Sequence, residues 1–273
     1  HAERYVAPLP GLADTPEIRR DVANFHGSLR ALDRSVSAVL DALDSSGLRD
    51  STIVILTTDH GPAFPGMKAT LKDAGLGVSL ILRIPGITPP GSVVDALASQ
   101  IDLYPTLCEV LGLETPPWLQ GVSLVPLLEG RAERVRDRVF GEVTFHAAYE
   151  PQRSIRTERW TYIRRFGIRR LPVLPNIDAS PALDWLLSHG FADQELQPVE
   201  LYDNALDPLH MRNLAGSAAM SAMESMLDSQ LLEWMDATAD PLLSGPVALP
   251  SGAVVNRASD LSPDGDVVTA EFE

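Results

Sequence analysis

Thr52-Ile-Val-Ile-Leu-Thr-Thr-Asp-His-Gly-Pro-Ala-Phe-Pro-Gly-Met-Lys68 is the stretch on which the fold turns. It opens with a β-branched, apolar run that ends at Leu56. Such a run reads as a strand buried on both faces, as in a parallel α/β sheet. It gives way to Thr57, Thr58, Asp59, His60 and Gly61. In open α/β sheets, ligands sit just beyond the carboxyl ends of the strands. An Asp and a His at that place suit a divalent cation. The carboxylate offers hard oxygens, the imidazole a nitrogen, and Gly61 permits a sharp turn. Taken alone, the same three residues also read as an Asx-type turn with a capping Asp.

The surroundings of Asp59 carry a resemblance. Thr-Thr-Asp-His-Gly after a hydrophobic strand resembles the sulfatases of the alkaline phosphatase superfamily. The continuation from Phe64-Pro-Gly-Met-Lys68 through Thr70-Leu-Lys-Asp-Ala-Gly to Ile84-Pro-Gly86 is similar to the heparan N-sulfatase (N-sulfoglucosamine sulfohydrolase-like) branch. The likeness runs from about Val6 to about Leu243. It implies metal ligation by Asp59 and His60, and a catalytic contact between Lys68 and the sulfate. His60 stands where many sulfatases have Asn. The resemblance implies Ca²⁺, whereas an imidazole suits Mn²⁺ or Zn²⁺ better. Lys72 replaces an aromatic of the "TLYDPG" pattern, and Ser79 a common Pro.

Composition narrows the function classes. The 273 residues suffice for one large domain or two smaller ones, and 45% are apolar. The net charge of −15 argues against a nucleic-acid partner, which needs basic surface to displace counterions. It does not forbid an anionic substrate, because a cation and a few Lys and Arg can invert the field in a pocket. The single cysteine, Cys108, lies in an apolar helical run and reads as a small core residue. No run reaches the ~18 apolar residues of a membrane span. No signal peptide is visible, but the chain begins with His1 rather than Met, so periplasmic, secreted and cytoplasmic locations all stay open. Oligomeric state is equally open.

Taken in order, residues 1–14 read as an irregular approach. Thr15-Pro16-Glu17 signals a helix start. Ile18, Val22, Phe25, Leu29, Leu32, Val36, Val39 and Leu43 then recur at helical spacing as far as Gly47, with a bend expected around His26-Gly27-Ser28. Val78 to Ile84 reads as a second strand, and Ile101 to Leu111 as a helix like the family's "DLxPTLxxLxGL", with Asp102 near its start. Leu124 to Leu128 reads as a short helical element. After about residue 135 the polarity alternates. Val139–Phe145 and Ser154–Ile163 read as antiparallel strands with one solvated face. Glu200-Leu-Tyr-Asp through Asp207-Pro208 to Asn213-Leu214 resembles "ELYDLxxDPxExxNLA", and Met220 to Met235 reads as an amphipathic helix.

The expected fold is therefore α/β: part of a doubly wound alkaline-phosphatase-like sheet, then a smaller antiparallel sheet with a packed C-terminal helix. The expected division is 1–134 for the α/β part and 135–250 for the antiparallel subdomain. Residues 251–273 are expected to form a poorly ordered tail.

Sulfate ester or sulfamate hydrolysis needs a nucleophile, groups that hold the oxygens, and an acid for the leaving group. The family's nucleophile is a formylglycine made in a Cys/Ser-x-Pro-x-Arg motif, which this chain does not contain. The family's first two metal-binding Asp residues likewise have no counterpart. The expectation is thus a C-terminal portion of a sulfatase of a sulfated sugar, inactive without the N-terminal half of the same protein as partner. Two further residues are candidate substrate contacts. His146 lies in a stretch that resembles "EVTxHxxYxPMRAIRT", and Arg153 offers a bidentate fork for a sulfonate or carboxylate. Arg156 alternates with Arg153 and reads equally as a surface charge. A phosphate or phosphonate ester hydrolase of the same superfamily, or a non-catalytic binding protein on this fold, are the competing readings.

Overall fold

The computed structural model describes residues 3–269. His1 and residues 270–273 of the expected tail lie outside them. Helix α1 (Pro16–Ser45) starts as its sequence requires. The Thr15 hydroxyl accepts from Ile18 N–H at 3.3 Å, and Pro16 fills a first-turn position whose missing N–H costs nothing. The helix runs through His26-Gly27-Ser28 without interruption. Its first turns bury Ile18 and Val22 against Val6, Phe64, Met67 and Ala182. Further along, the same apolar stripe opens to solvent: Leu29, Leu32 and Val39 are 43%, 53% and 68% exposed. No described element covers that part of the stripe.

Strand β1 (Val54–Thr57) is half-buried, and it does not belong to a parallel pair. It runs antiparallel to β2 (Leu80–Arg83), with Val54 opposite Arg83 and Thr57 opposite Leu80. This corrects the parallel, doubly buried reading of the run. A β-branched run specifies extended backbone, whereas strand direction follows from the connection. A parallel return needs a crossover, usually a helix. Here the link holds only α2 (Asp73–Leu76), a single turn.

Asp102 organises the next segment. It is fully buried and caps the helix start reciprocally with Ser99. It also accepts Val122 N–H at 2.8 Å and pairs with Arg136. Helices α3 (Leu103–Leu111) and α4 (Val125–Leu128) pack around it, and Cys108 is buried there as expected of a core residue.

The remaining strands form one antiparallel sheet of β3 (Arg138–Phe145), β4 (Tyr149–Thr157), β5 (Trp160–Arg165) and β6 (Val199–Asp203), in that order. Helix α5 (Pro181–Ser188) lies in the β5–β6 connection and packs on α1. Because side chains alternate along each strand, the sheet has two distinct faces. Ile155, Tyr162 and Leu201 pack against Leu227, Leu231 and Met235 of α6 (Ser221–Ala237). Phe140 stacks on Trp234 at 4.6 Å. Ile163 and Tyr202, on the opposite face, pack on Leu71. The described part of the expected tail carries two short strands, β7 (Val255–Asn256) and β8 (Val267–Val268), which pair antiparallel. Asn256 N–H donates to Ala147 O at 2.8 Å, so this segment attaches to the β3–β4 turn where a tail without regular structure was expected.

His210, which stands at the Glu of the "DPxExxN" pattern, joins the sheet to α2. Its backbone is left-handed (φ 53°), a conformation uncommon outside Gly. Its ring is buried and stacks on Tyr202 at 4.6 Å. Nε2 lies 3.0 Å from the Asn204 amide oxygen, and Nδ1 accepts a long 3.4 Å contact from Asp73 N–H. Both contacts together require the neutral imidazole. Burial pushes its pKa below the ordinary 6.5, as do Lys72 and Arg156, while Asp73 and Asp207 oppose the shift. Below about pH 6.5 the unfolded chain then takes up this proton before the folded one, so stability falls as pH falls through that window. His210→Gln keeps a donor and an acceptor but does not titrate. Thermal melts from about pH 7 down to about pH 5 are expected to show a shallower loss of Tm in that variant. An unchanged slope would show that other groups set the acid sensitivity.

Candidate functional site

The site begins where β1 ends. Gln100 donates to Thr57 Oγ1 and to Thr58 O, at 3.0 and 2.7 Å, and Ser79 N–H donates to Thr58 Oγ1 at 3.1 Å. These bonds hold the strand end for Asp59, His60 and Gly61. Gly61 serves a close approach rather than a turn. Its N–H donates to Gly75 O at 2.9 Å, and a Cβ there would sit 1.9 Å from Ala74 O. Gly75 is crowded in the same way by Met67 O and Thr70 O. Glycine at both places lets the strand end lie directly on α2.

His60 Nδ1 is 2.6 Å from Gly61 O, so Nδ1 carries a hydrogen and Nε2 is the nitrogen left to face outward. Nε2 lies 3.5 Å from Asp59 Oδ2. A histidine whose second nitrogen is fixed by a carbonyl is how metal-binding imidazoles are usually oriented. Two adjacent donors are nevertheless fewer than the four to six or more that divalent ions take. Among the described residues no group of three His, Cys, Asp or Glu side chains comes together to hold an ion. Asp59 and His60 thus suit one edge of a metal site and do not complete it.

Pro62 O accepts from Phe64 N–H and Lys68 N–H, at 2.9 and 3.2 Å, which closes the loop between His60 and Lys68. Phe64 and Met67 anchor it in the α1 core. Ala69 is forced to φ 62° directly after Lys68, a strained conformation for a residue with a Cβ. Lys68 Nζ lies 2.8 and 3.0 Å from the two oxygens of Asp178. An ammonium has three N–H groups, so one remains for another acceptor. His146 lies in the β3–β4 turn, where its N–H donates to Ala148 O at 3.2 Å. Its pKa is lowered, chiefly by desolvation, then by the charges of Lys68 and His60, with Asp178 opposing. The charges of Lys68, Asp178 and His60 therefore all reach His146. Asp59, 88% exposed at its carboxylate, stands on the outer rim.

Arg153, expected to face substrate, lies in the interior. It pairs with Asp240 at 2.5 and 3.1 Å and donates to Val143 O and Gln152 O, both at 2.9 Å. Strand alternation turns it towards the α6 side. Arg156, on the other side, holds the Asp73 carboxylate at 2.7 and 2.8 Å. Asp178 had no sequence signal: it is 110 residues from Lys68 along the chain, in a loop.

A carboxylate, two imidazoles and an ammonium gathered beyond a strand end define an α/β scaffold suited to an anion. The sulfatase family model matches residues 3–113, and the C-terminal model of N-sulphoglucosamine sulphohydrolase matches residues 67–171. The chain is 30% identical over 233 residues to an ulvan-active sulfatase of Formosa agariphila, covering 84% of this chain and 46% of that protein. It is 29% identical over 258 residues to the N-sulphoglucosamine sulphohydrolase of Homo sapiens, covering 85% and 51%. A solved 2-O GAG sulfatase superposes with a TM-score of 0.66 at 25% identity, over 83% of this chain and 45% of that one. The chain thus carries a sulfatase-family domain followed by an N-sulphoglucosamine sulphohydrolase C-terminal domain, and its relatives are sulfatases of the alkaline phosphatase superfamily. It spans about half the length of the curated relatives it matches.

Two substitutions test this geometry. Gly61→Ala forces a methyl into the Ala74 carbonyl and is expected to cost about 1–3 kcal/mol, read from denaturant unfolding. A neutral result would mean the contact can relax. Arg153→Ala strands the buried Asp240 and is expected to cost about 3–5 kcal/mol. Unchanged stability with altered ligand affinity would restore Arg153 to the site.

Proposed function

We propose that this chain forms part of a sulfatase site acting on a sulfated sugar, with Lys68 as the anion contact. The observation that carries the reading is the reach of the Lys68 and His60 charges to His146 beyond β1, in a chain that carries a sulfatase-family domain. The third N–H of Lys68 is free to bind a sulfate oxygen, and Asp178 fixes the ammonium in place. His146, kept neutral by desolvation, is suited to hydrogen-bond the substrate without a charge. Asp59 and His60 would supply two ligands to a divalent ion, which when bound offsets negative charge on the sulfate. The human relative's name supports an N-sulfated amino sugar as the substrate. No nucleophile of the family's motif lies in this sequence, so the groups here bind and orient.

Turnover of N-sulfoglucosamine, with a phosphonate monoester as comparator, is the direct test. In an active preparation, Lys68→Ala is expected to lower kcat about a hundred- to thousandfold. Lys68→Arg is expected to keep part of the activity, since the charge survives while the geometry changes. Asp59→Ala should lower metal content together with turnover. Preference for the phosphonate, or a Lys68→Ala protein within about twofold of the parent, would overturn the reading.

A further inference from the structure

A second cavity, of about 330 Å³, lies behind Lys68. Gln152, Ile163, Arg165, Glu200 and Tyr202 form its floor, all on the sheet face opposite α6. The Gly66–Lys72 segment and the loops around Val173 and Leu196 enclose it. Its volume is at the low end of small-molecule sites, of about 300–1,000 Å³.

Nearly every polar group inside it is already satisfied. Asn176 accepts from Ala148 N–H and donates to Glu150, at 2.8 and 2.9 Å. Arg165 bridges Glu150 and Glu200, at 3.0 and 2.8 Å. Tyr202 donates to Glu200, and Lys72 lies 3.5 Å from it. Two groups are left over: Arg165 Nε, which is buried without a partner, and the side-chain amide of Gln152. Gln152 is 2% exposed, and among the described residues its side-chain amide makes no hydrogen bond. The resembling family segment "PMR" has Met at this place, so the chain carries a buried amide where an apolar side chain would fill the space. The amide borders the cavity, where its donor and acceptor are both open to a group from outside the protein.

The charges say what that partner is. Inside the cavity Lys72 and Arg165 are each matched by a carboxylate, and the exposed Glu195 at the rim disfavours an anion there. The group that fits is neutral, with hydroxyls for the amide and an apolar flank for Ile163, Val173 and Leu196. We propose that this cavity receives an unsulfated sugar ring and that Gln152 reads one of its hydroxyls. The assignment rests on the sulfated-sugar reading above, because Lys68 lies at the edge of this cavity and would hold the neighbouring sulfate.

The test is a titration of the full ¹⁵N-labelled chain with N-acetylglucosamine, and separately with inorganic sulfate, followed by NMR. Saturable shifts of the Gln152 side-chain amide are expected with the sugar. Gln152→Met conserves volume and matches the family pattern, so it should fold. It should weaken sugar binding about tenfold and leave sulfate binding unchanged. Lys68→Ala should do the reverse. A Gln152 amide that does not shift, or equal sugar affinity in Gln152→Met, would show a cavity that holds only water and would overturn the subsite even if sulfate binds at Lys68. Sugar binding through Gln152 without sulfate binding at Lys68 would support the subsite and remove the sulfate reading instead.

Discussion

The Asp73 carboxylate, held bidentately by Arg156, ties the β1–β2 pair to the four-stranded sheet. Asp73 opens α2, whose last turn carries Gly75, and Gly75 O receives Gly61 N–H from the end of β1. One ion pair on the larger sheet therefore sets the position of a helical turn, and that turn sets the strand end bearing Asp59 and His60. Both side chains of the pair are partly buried, where paired charges are screened less than at the surface. The two glycines let the backbones touch, so the coupling is short and stiff.

The same join gathers positive charge in an acidic chain. Lys68, Lys72, Arg156 and Arg165 all meet where the 66–76 segment crosses the sheet, and each has a carboxylate partner. The net charge of −15 is thus a property of the whole chain and not of this region. Burial raises the pKa of Glu150, whereas Glu200, also desolvated, is held low by Lys72 and Arg165. Neighbouring carboxylates on one face thus shift in opposite directions, as their contacts with cations differ.

Local rules made much of the fold legible. The Thr15-Pro16 start, the Gly47 stop and the periodic stripe between them described α1 closely, because capping and amphipathicity act over a few residues. Alternating polarity after residue 135 described the antiparallel sheet for the same reason. The Asp-His-Gly motif marks a strand end, whereas the direction of that strand is not legible in it, since direction depends on a connection whose packing is not local. Arg153 and Arg156 show the limit most clearly. Two residues of one type, three apart on one strand, face opposite sides of the sheet. Their partners, Asp240 and Asp73, are 87 residues downstream and 83 upstream.

What the sequence determined by itself was element type, the glycine and proline punctuation, and the motif around Asp59, Lys68 and His146, all set by short-range backbone preference and by resemblance. Tertiary structure alone decided which charges neutralise which. Asp178 found Lys68, Glu200 found Lys72 and Arg165, and Gln152 was left without a protein partner. Such pairings depend on distances of a few ångströms between segments far apart in the chain. Coulomb and hydrogen-bond energies fall steeply over that range, and a linear sequence does not record it.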